Sequence, residues 1–216
     1  STEMDRSALL RLSHAAYAGG RIETAAALLD AAGAAAVSDT DVYTRWRAAE
    51  CALLVDDLPR AITALREVAS DGRLLARDHA RVQLELLAAH VLIEDFESAR
   101  EHLAAIQRIG RRVRGDETAG VMAAMVVGRY LLGDQTEAQV ATALGAFLNM
   151  FKEQWLAYRD DVEFFAGELA RHRGDFDTAA RRYQLCIDLA VDAWPADWAR
   201  HRLRQISAKI NEQVRQ

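Results

Sequence analysis

The chain has few of the residues that interrupt helices or cross-link small folds. Its 216 residues include only 2 prolines and 2 cysteines, and aromatic residues make up 7%. Scarce proline, together with abundant Ala, Leu, Arg and Glu, argues against a β-rich or linker-rich organisation and favours helix throughout. Cys51 and Cys186 are far apart and have apolar neighbours, which predicts buried thiols in a reducing compartment rather than a disulfide framework.

The chain is also short of positive charge and of long apolar runs. The formal net charge is -5, whereas a protein that binds many phosphate groups normally carries a basic surface. We therefore expect no nucleic-acid partner. The most apolar stretch, 121–132, is interrupted by Gly128 and Arg129 and is shorter than the roughly 18 to 20 apolar residues that cross a bilayer. We therefore expect no membrane partner. Because no basic segment followed by an apolar core opens the sequence, we expect a cytoplasmic protein.

What the chain does contain is a repeat. Five alanines each follow a short signature of turn and acidic residues, at intervals of 36, 38, 39 and 41 residues; they are Ala25, Ala61, Ala99, Ala138 and Ala179. Repeats of this length are typical of stacked helical hairpins, because two amphipathic helices joined by a tight turn cannot bury their apolar stripes alone. We expect each alanine to lie where the two helices of a hairpin cross most closely, since a large side chain would push them apart.

The predicted fold class is all-α: an α-solenoid of about five helix-turn-helix hairpins plus a C-terminal capping helix, in a single domain covering 1–216. The expected repeat units are 6–38, 39–74, 75–115, 116–152 and 153–192, with the capping helix at 194–215. Four turns carry aspartates that we expect to cap the next helix by accepting backbone hydrogen bonds; they are Asp57, Asp95, Asp134 and Asp175. Glycines before three turns predict left-handed helix ends at Gly20, Gly133 and Gly174.

The last unit has the clearest motif. A small residue in the first helix is followed by a Gly-Asp-aromatic turn and then by an alanine and a tyrosine; these are Gly167, Gly174, Asp175, Phe176, Ala179 and Tyr183. This unit resembles the tetratricopeptide repeat family. The longer, degenerate repeats of the chain are similar to those in regulatory regions of bacterial signalling and transcription proteins.

The resemblance implies a superhelix whose first helices line a concave surface, where such proteins commonly bind peptides or partner proteins. Carried onto this chain, the pattern places ten residues on that surface: His14, Tyr17, Tyr43, Trp46, Glu50, Arg81, Tyr130, Phe164, Glu168 and Arg171. Rigid aromatic rings and arginine are favoured at recognition surfaces. The alternative is that several of these rings fill gaps between neighbouring hairpins, as aromatic residues at helical spacing often do.

We expect no catalytic residue, cofactor or metal. The six histidines are scattered without metal-ligand spacing, and phosphate-binding, dinucleotide-binding and nucleophile-elbow motifs are missing from the sequence. His90, on an apolar helix face, is expected to be a core histidine. The acidic residues Asp160, Asp161 and Glu163 are interpreted as the start of a helix, where negative charge is favourable.

Three functional hypotheses follow. The first is a non-enzymatic scaffold that binds a protein or peptide on the concave face, and the second is a small-ligand-sensing or regulatory module of a larger bacterial signalling or transcription regulator. An enzyme is third. The first hairpin is also a candidate homodimer surface, because Leu9, Leu10 and Leu12 leave an apolar end without an obvious polar cap.

Overall fold

The protein is all-α. A computed structural model describes residues 2–33, 41–151, 156–190 and 193–214, and within these ranges every extended regular element is a helix. The eleven α-helices found there are α1 (Thr2–Ala18), α2 (Ile22–Ala31), α3 (Val42–Leu54), α4 (Leu58–Ala69), α5 (Ala76–Leu92), α6 (Phe96–Arg112), α7 (Thr118–Leu131), α8 (Glu137–Phe151), α9 (Leu156–His172), α10 (Phe176–Leu189) and α11 (Ala193–Val214).

The first ten helices pack in consecutive pairs, α1 with α2 through α9 with α10. The chain divides into two compact units, Ser1–Leu74 and Leu75–Gln216, which we call unit 1 and unit 2. In unit 2, α7 packs against both α5 and α9, and α11 packs against α10 and α9. The prediction of helices throughout is confirmed. One continuous domain and a solenoid remain predictions.

The same short turn joins the two helices of all five pairs. In each turn, the backbone N–H of a residue with positive φ donates to the carbonyl oxygen three residues before it. The N–H of the next residue donates to the carbonyl oxygen five residues before that next residue. The predicted glycines occupy this position in three turns, with φ between 67° at Gly20 and 78° at Gly174. The other two turns have Asp56 and Glu94, at φ 63° and 62°. A side chain in this conformation costs about 1 to 2 kcal/mol, so these two turns are strained.

Three of the four predicted aspartate caps are confirmed. The side chains of Asp57, Asp95 and Asp175 each accept a hydrogen bond from the backbone N–H three residues on. They satisfy one of the donors that a helix start leaves unpaired.

The prediction for Asp134 is wrong, because α8 starts two residues later than the repeat signature suggests. Thr136 caps it: its hydroxyl accepts from Gln139 N at 3.3 Å, and Gln139 Oε1 accepts from Thr136 N at 2.8 Å. This reciprocal pair is a capping box. Asp134 instead forms an ion pair with Arg100 at 3.2 Å.

The shift also moves the helix-crossing position of the fourth hairpin. Ala25, Ala61, Ala99 and Ala179 are fully buried, as predicted, but Ala138 is exposed. Val140, four residues after the Thr136 cap, is the buried residue that takes its place.

The connection between α6 and α7 is short. Helix α6 continues to Arg112, and a single turn of 3-10 helix at Gly115–Glu117 leads directly into α7. Glu117 Oε2 accepts a hydrogen bond from Arg77 N at 3.1 Å, which ties this connection to the start of α5. Among the described helices, none combines the length and the apolar run needed to cross a bilayer.

Candidate functional site

Four of the predicted surface residues of unit 1 lie together with Arg47 on α1 and α3, and we call this cluster the aromatic face: Tyr17, Tyr43, Trp46, Arg47 and Glu50. Tyr17 donates its hydroxyl to Glu50 Oε2 at 3.0 Å, joining the two helices. The guanidinium carbon of Arg47 lies 4.7 Å from the centre of the Tyr17 ring, within the range of a cation–π contact. Sequence reasoning did not select Arg47.

Two aromatic rings of the aromatic face are accessible. Tyr43 is 44% exposed and Trp46 is half-buried, and their ring centres lie 6.3 Å apart. Tyr17, by contrast, is only 9% exposed, and it contacts Glu50 and Arg47. The aromatic face therefore combines Tyr17, which Glu50 and Arg47 hold in place, with two accessible rings that a partner could contact. His14, on α1, keeps much of its surface exposed, but partial burial of the ring and the nearby Arg47 charge lower its pKa.

In unit 2, two of the predicted surface residues, Phe164 and Glu168, are buried. Phe164 is fully buried between Phe165, Tyr183 and Trp198, with ring centres 5.4 to 5.8 Å away. Such edge-on and tilted ring contacts are typical of a packed core. This placement matches the alternative that some rings fill gaps between hairpins.

Glu168 is the centre of a buried ion network. Arg202, fully buried on α11, donates from Nε and Nη2 to its two carboxylate oxygens at 2.9 and 3.0 Å, and Arg171 Nη2 donates at 3.0 Å. The Tyr183 hydroxyl also donates to Glu168 Oε1. Burial opposes ionisation of Glu168, but the charges of Arg202 and Arg171 and the hydrogen bonds outweigh it and lower its pKa to about 2. Glu168 and Arg171 are thus engaged within the fold, and we leave them out of the binding surface.

A second network links α5 to α9. Arg81 donates from Nη1 to Asp161 Oδ2 at 2.7 Å and from Nε to Glu85 Oε1 at 3.0 Å, and its guanidinium lies over the Phe165 ring. Glu85, Asp161 and the adjacent Asp160 are all buried. The network thus brings three carboxyl groups close to the Arg81 guanidinium.

Burial changes the ionisation of the two aspartates. Burial raises the pKa of Asp160 to about 8, with a further contribution from the Asp161 carboxylate, and burial raises the pKa of Asp161 to about 6 despite Arg81. Interpreting these residues as a helix start is wrong. Both lie at least four residues inside α9, beyond the first turn where the helix dipole acts.

Tyr130, the remaining predicted residue, lines a cavity of about 380 Å³ at the C-terminal ends of α5, α7 and α9. Its hydroxyl donates to Glu137 at 3.3 Å, and burial raises its pKa. The walls are formed by Leu92, Phe96, Leu131 and Leu169, with Glu94, Gln135 and Arg173 supplying charged and polar groups. Sequence reasoning missed this cavity, because its residues come from three separate turns.

The remaining titratable candidates are structural. His90 is buried, lies 3.1 Å from Asp95 and stacks on His102, which agrees with the predicted core histidine. Both cysteines are buried and free, as predicted, and burial raises the pKa of Cys51 to about 12. Within the described ranges, no three His, Cys, Asp or Glu side chains form a group able to hold a metal ion.

Comparisons of the chain with protein-family models, with curated proteins and with solved structures find no match. The function is therefore inferred from the chain's own residues.

Proposed function

We propose that the protein is a non-enzymatic, tetratricopeptide-like scaffold that binds a peptide or partner protein through the aromatic face of unit 1. The observation that carries this proposal is the accessibility of Tyr43 and Trp46 beside the fixed Tyr17–Glu50 pair. Aromatic residues bury a large area at a low entropic cost, and for that reason they dominate binding energy at protein interfaces. The repeated turn and the consecutive helix pairs support the repeat architecture in which such a face would be concave.

The mixed chemistry of the face favours a peptide with both apolar and basic groups. Tyr43 and Trp46 offer ring surfaces for apolar side chains or for a stacked arginine. Glu50, four residues after Trp46 on α3, adds a carboxylate that accepts from Tyr17. Arg47 already occupies the Tyr17 ring, so an incoming cation would contact Trp46 or Tyr43 instead.

A peptide-display selection on the full chain tests this proposal. We expect selected peptides to bind at least ten-fold more weakly to the double variant Tyr43→Ala/Trp46→Ala, because hot-spot residues typically contribute about 2 kcal/mol or more. The matched control is Leu185→Ala, since Leu185 is similarly exposed, at 45%, but lies in unit 2. Circular dichroism should be unchanged in both variants. Peptides that bind the double variant as tightly as the parent would refute the assignment of this face.

The second candidate is a small-ligand-sensing or regulatory module of a larger bacterial signalling or transcription regulator. The cavity beside Tyr130 favours it, because leucine side chains and several charged or polar groups line one recess of a size found at small-molecule sites. A thermal-shift screen with metabolites, without any protein partner, tests this candidate.

A further inference from the structure

The outer side of α6 carries charged residues in a symmetrical order. The buried residues of this helix are Ala99, Leu103 and Ile106, and the helix packs against α5 and α7. With about 3.6 residues per turn, the opposite side presents six residues, which we call the α6 stripe: Glu97, Glu101, Ala104, Ala105, Arg108 and Arg112. The charged members are exposed and the two alanines are half-buried.

The α6 stripe has the same spacing from both of its ends, with the charges reversed. Glu101 and Arg108 lie equally far from the midpoint between the two alanines, at about 5 Å along the helix axis. Glu97 and Arg112 also lie equally far from that midpoint, at about 11 Å. A second α6 that runs in the opposite direction would therefore place an arginine beside each glutamate.

The charges of the α6 stripe are not paired within the described part of the chain, where no residue forms a hydrogen bond or ion pair with these four side chains. Residues four apart on the stripe have the same sign, which is unfavourable on an isolated helix. The helix dipole favours acids at the start and bases at the end, but it acts only within the terminal turns. Glu101 and Arg108 lie inside those turns, so the dipole does not account for them.

We propose that the α6 stripe is a self-association surface, on which α6 of a second copy packs antiparallel about a twofold axis between Ala104 and Ala105. Glu101 then faces the partner's Arg108, and each such ion pair occurs twice because a twofold interface uses the same residues from both copies. Glu97 faces the partner's Arg112 in the same way. The small alanines let the helix axes approach to about 8 Å, the short end of helix packing distances.

The proposed contact should be weak and sensitive to salt. A single pair of helices buries less area than the roughly 1,200 Å² of a standard stable interface, and salt screens exposed ion pairs. We expect a dissociation constant on the order of 10 to 100 µM at low salt, typical of a transient interface. Raising sodium chloride to about 0.5 M should weaken the dimer several-fold. This inference goes beyond the proposed function and does not depend on it.

Analytical ultracentrifugation of the full chain, over a concentration series that spans this dissociation constant, tests the proposal with two charge reversals. Glu101→Arg and Arg108→Glu each place like charges opposite each other, so each variant alone should dimerise at least ten-fold more weakly than the parent. An equimolar mixture of the two variants should form a heterodimer, because every contact at these positions then joins opposite charges. A structural defect in either variant would not produce this recovery.

Two controls reverse exposed charges of the same types elsewhere. Glu67→Arg on α4 and Arg181→Glu on α10 should leave the dimer unchanged, and circular dichroism should be the same for all variants. A parent chain that stays monomeric throughout the series would overturn the proposal. It would also be overturned by a dimer that survives both reversals, or by a mixture that forms no heterodimer. A dimer lost in Leu12→Asp but kept in the reversals would place the contact on the first hairpin instead.

Discussion

Replacing Gly167 by alanine should strongly destabilise unit 2. A Cβ at this position would lie 2.6 Å from Tyr183 Cε1 and 2.7 Å from Cδ1. Carbon atoms do not approach this closely, so the ring or the helix must move. The ring is fully buried and its hydroxyl is bonded to Glu168, which in turn is held by Arg202 and Arg171. The side chain therefore cannot swing away without disturbing the buried ion network.

The size of the effect follows from these contacts. Overpacking a core position costs about 1 to 3 kcal/mol, and weakening a buried hydrogen bond to a charged group costs about 1.5 to 3 kcal/mol. Alanine returns about 1 kcal/mol through its higher helix propensity. We expect a net loss of about 2 to 4 kcal/mol in the free energy of unfolding.

Urea denaturation followed by circular dichroism measures this loss. Gly110→Ala is the matched control, because Gly110 is also helical and its added Cβ would meet only Val121 Cγ1, at an ordinary 3.5 Å. We expect that control to be neutral or stabilising. In a Tyr183→Leu background, Gly167→Ala should cost much less, because the clashing ring is gone. Equal effects of Gly167→Ala and Gly110→Ala would show that the close approach to Tyr183 does not limit this position.

Two further predictions concern the hairpin crossings and the buried acids. Ala99→Leu should lower the free energy of unfolding, measured by urea denaturation, by about 1 to 3 kcal/mol, because Ala99 is fully buried at a helix crossing. Ala138→Leu should be nearly neutral because Ala138 is exposed. Similar losses in the two variants would refute the two-residue shift of α8. The pKa of Asp160 is raised to about 8 in the folded protein, from its ordinary value of 3.8. The protonated Asp160 carboxyl therefore contributes its full share of folding stability below pH 3.8, and this stability is lost as pH rises through 8. Asp160→Asn should therefore match the parent at pH 4 and exceed its stability by about 2 to 4 kcal/mol at pH 8; parallel pH profiles would contradict the raised pKa.

Local features of the fold were predictable because short-range sequence encodes them. The turn glycines, three aspartate caps and four buried alanines depend on neighbours within a few residues, and the structure has them as expected. The shift of α8 also had a local signal, the Thr136-x-x-Gln139 capping box. It was missed because Ala138 fitted the repeat interval.

The buried networks could not be predicted in the same way. Glu168 and its partner Arg202 are 34 residues apart, and Arg81 and Asp161 are 80 apart. Nothing in the spacing of charged residues indicates which of them will meet inside the protein. Arg202 was overlooked because an arginine on an amphipathic helix is expected to face water. The aromatic face was easier to anticipate, since its residues lie within two helices of unit 1.

The Arg202–Glu168 contact limits how this chain can be shortened in the laboratory. Deleting the final helix would remove Arg202, which donates to both carboxylate oxygens of Glu168, and removing one member of a buried ion pair costs about 3 to 5 kcal/mol. A truncated version would need a neutral residue in place of Glu168 and a replacement for Arg171 as well. A boundary between α10 and α11 would separate Glu168 from Arg202, and a boundary before α9 would separate Arg81 from Asp161, so neither position divides this part of the chain cleanly.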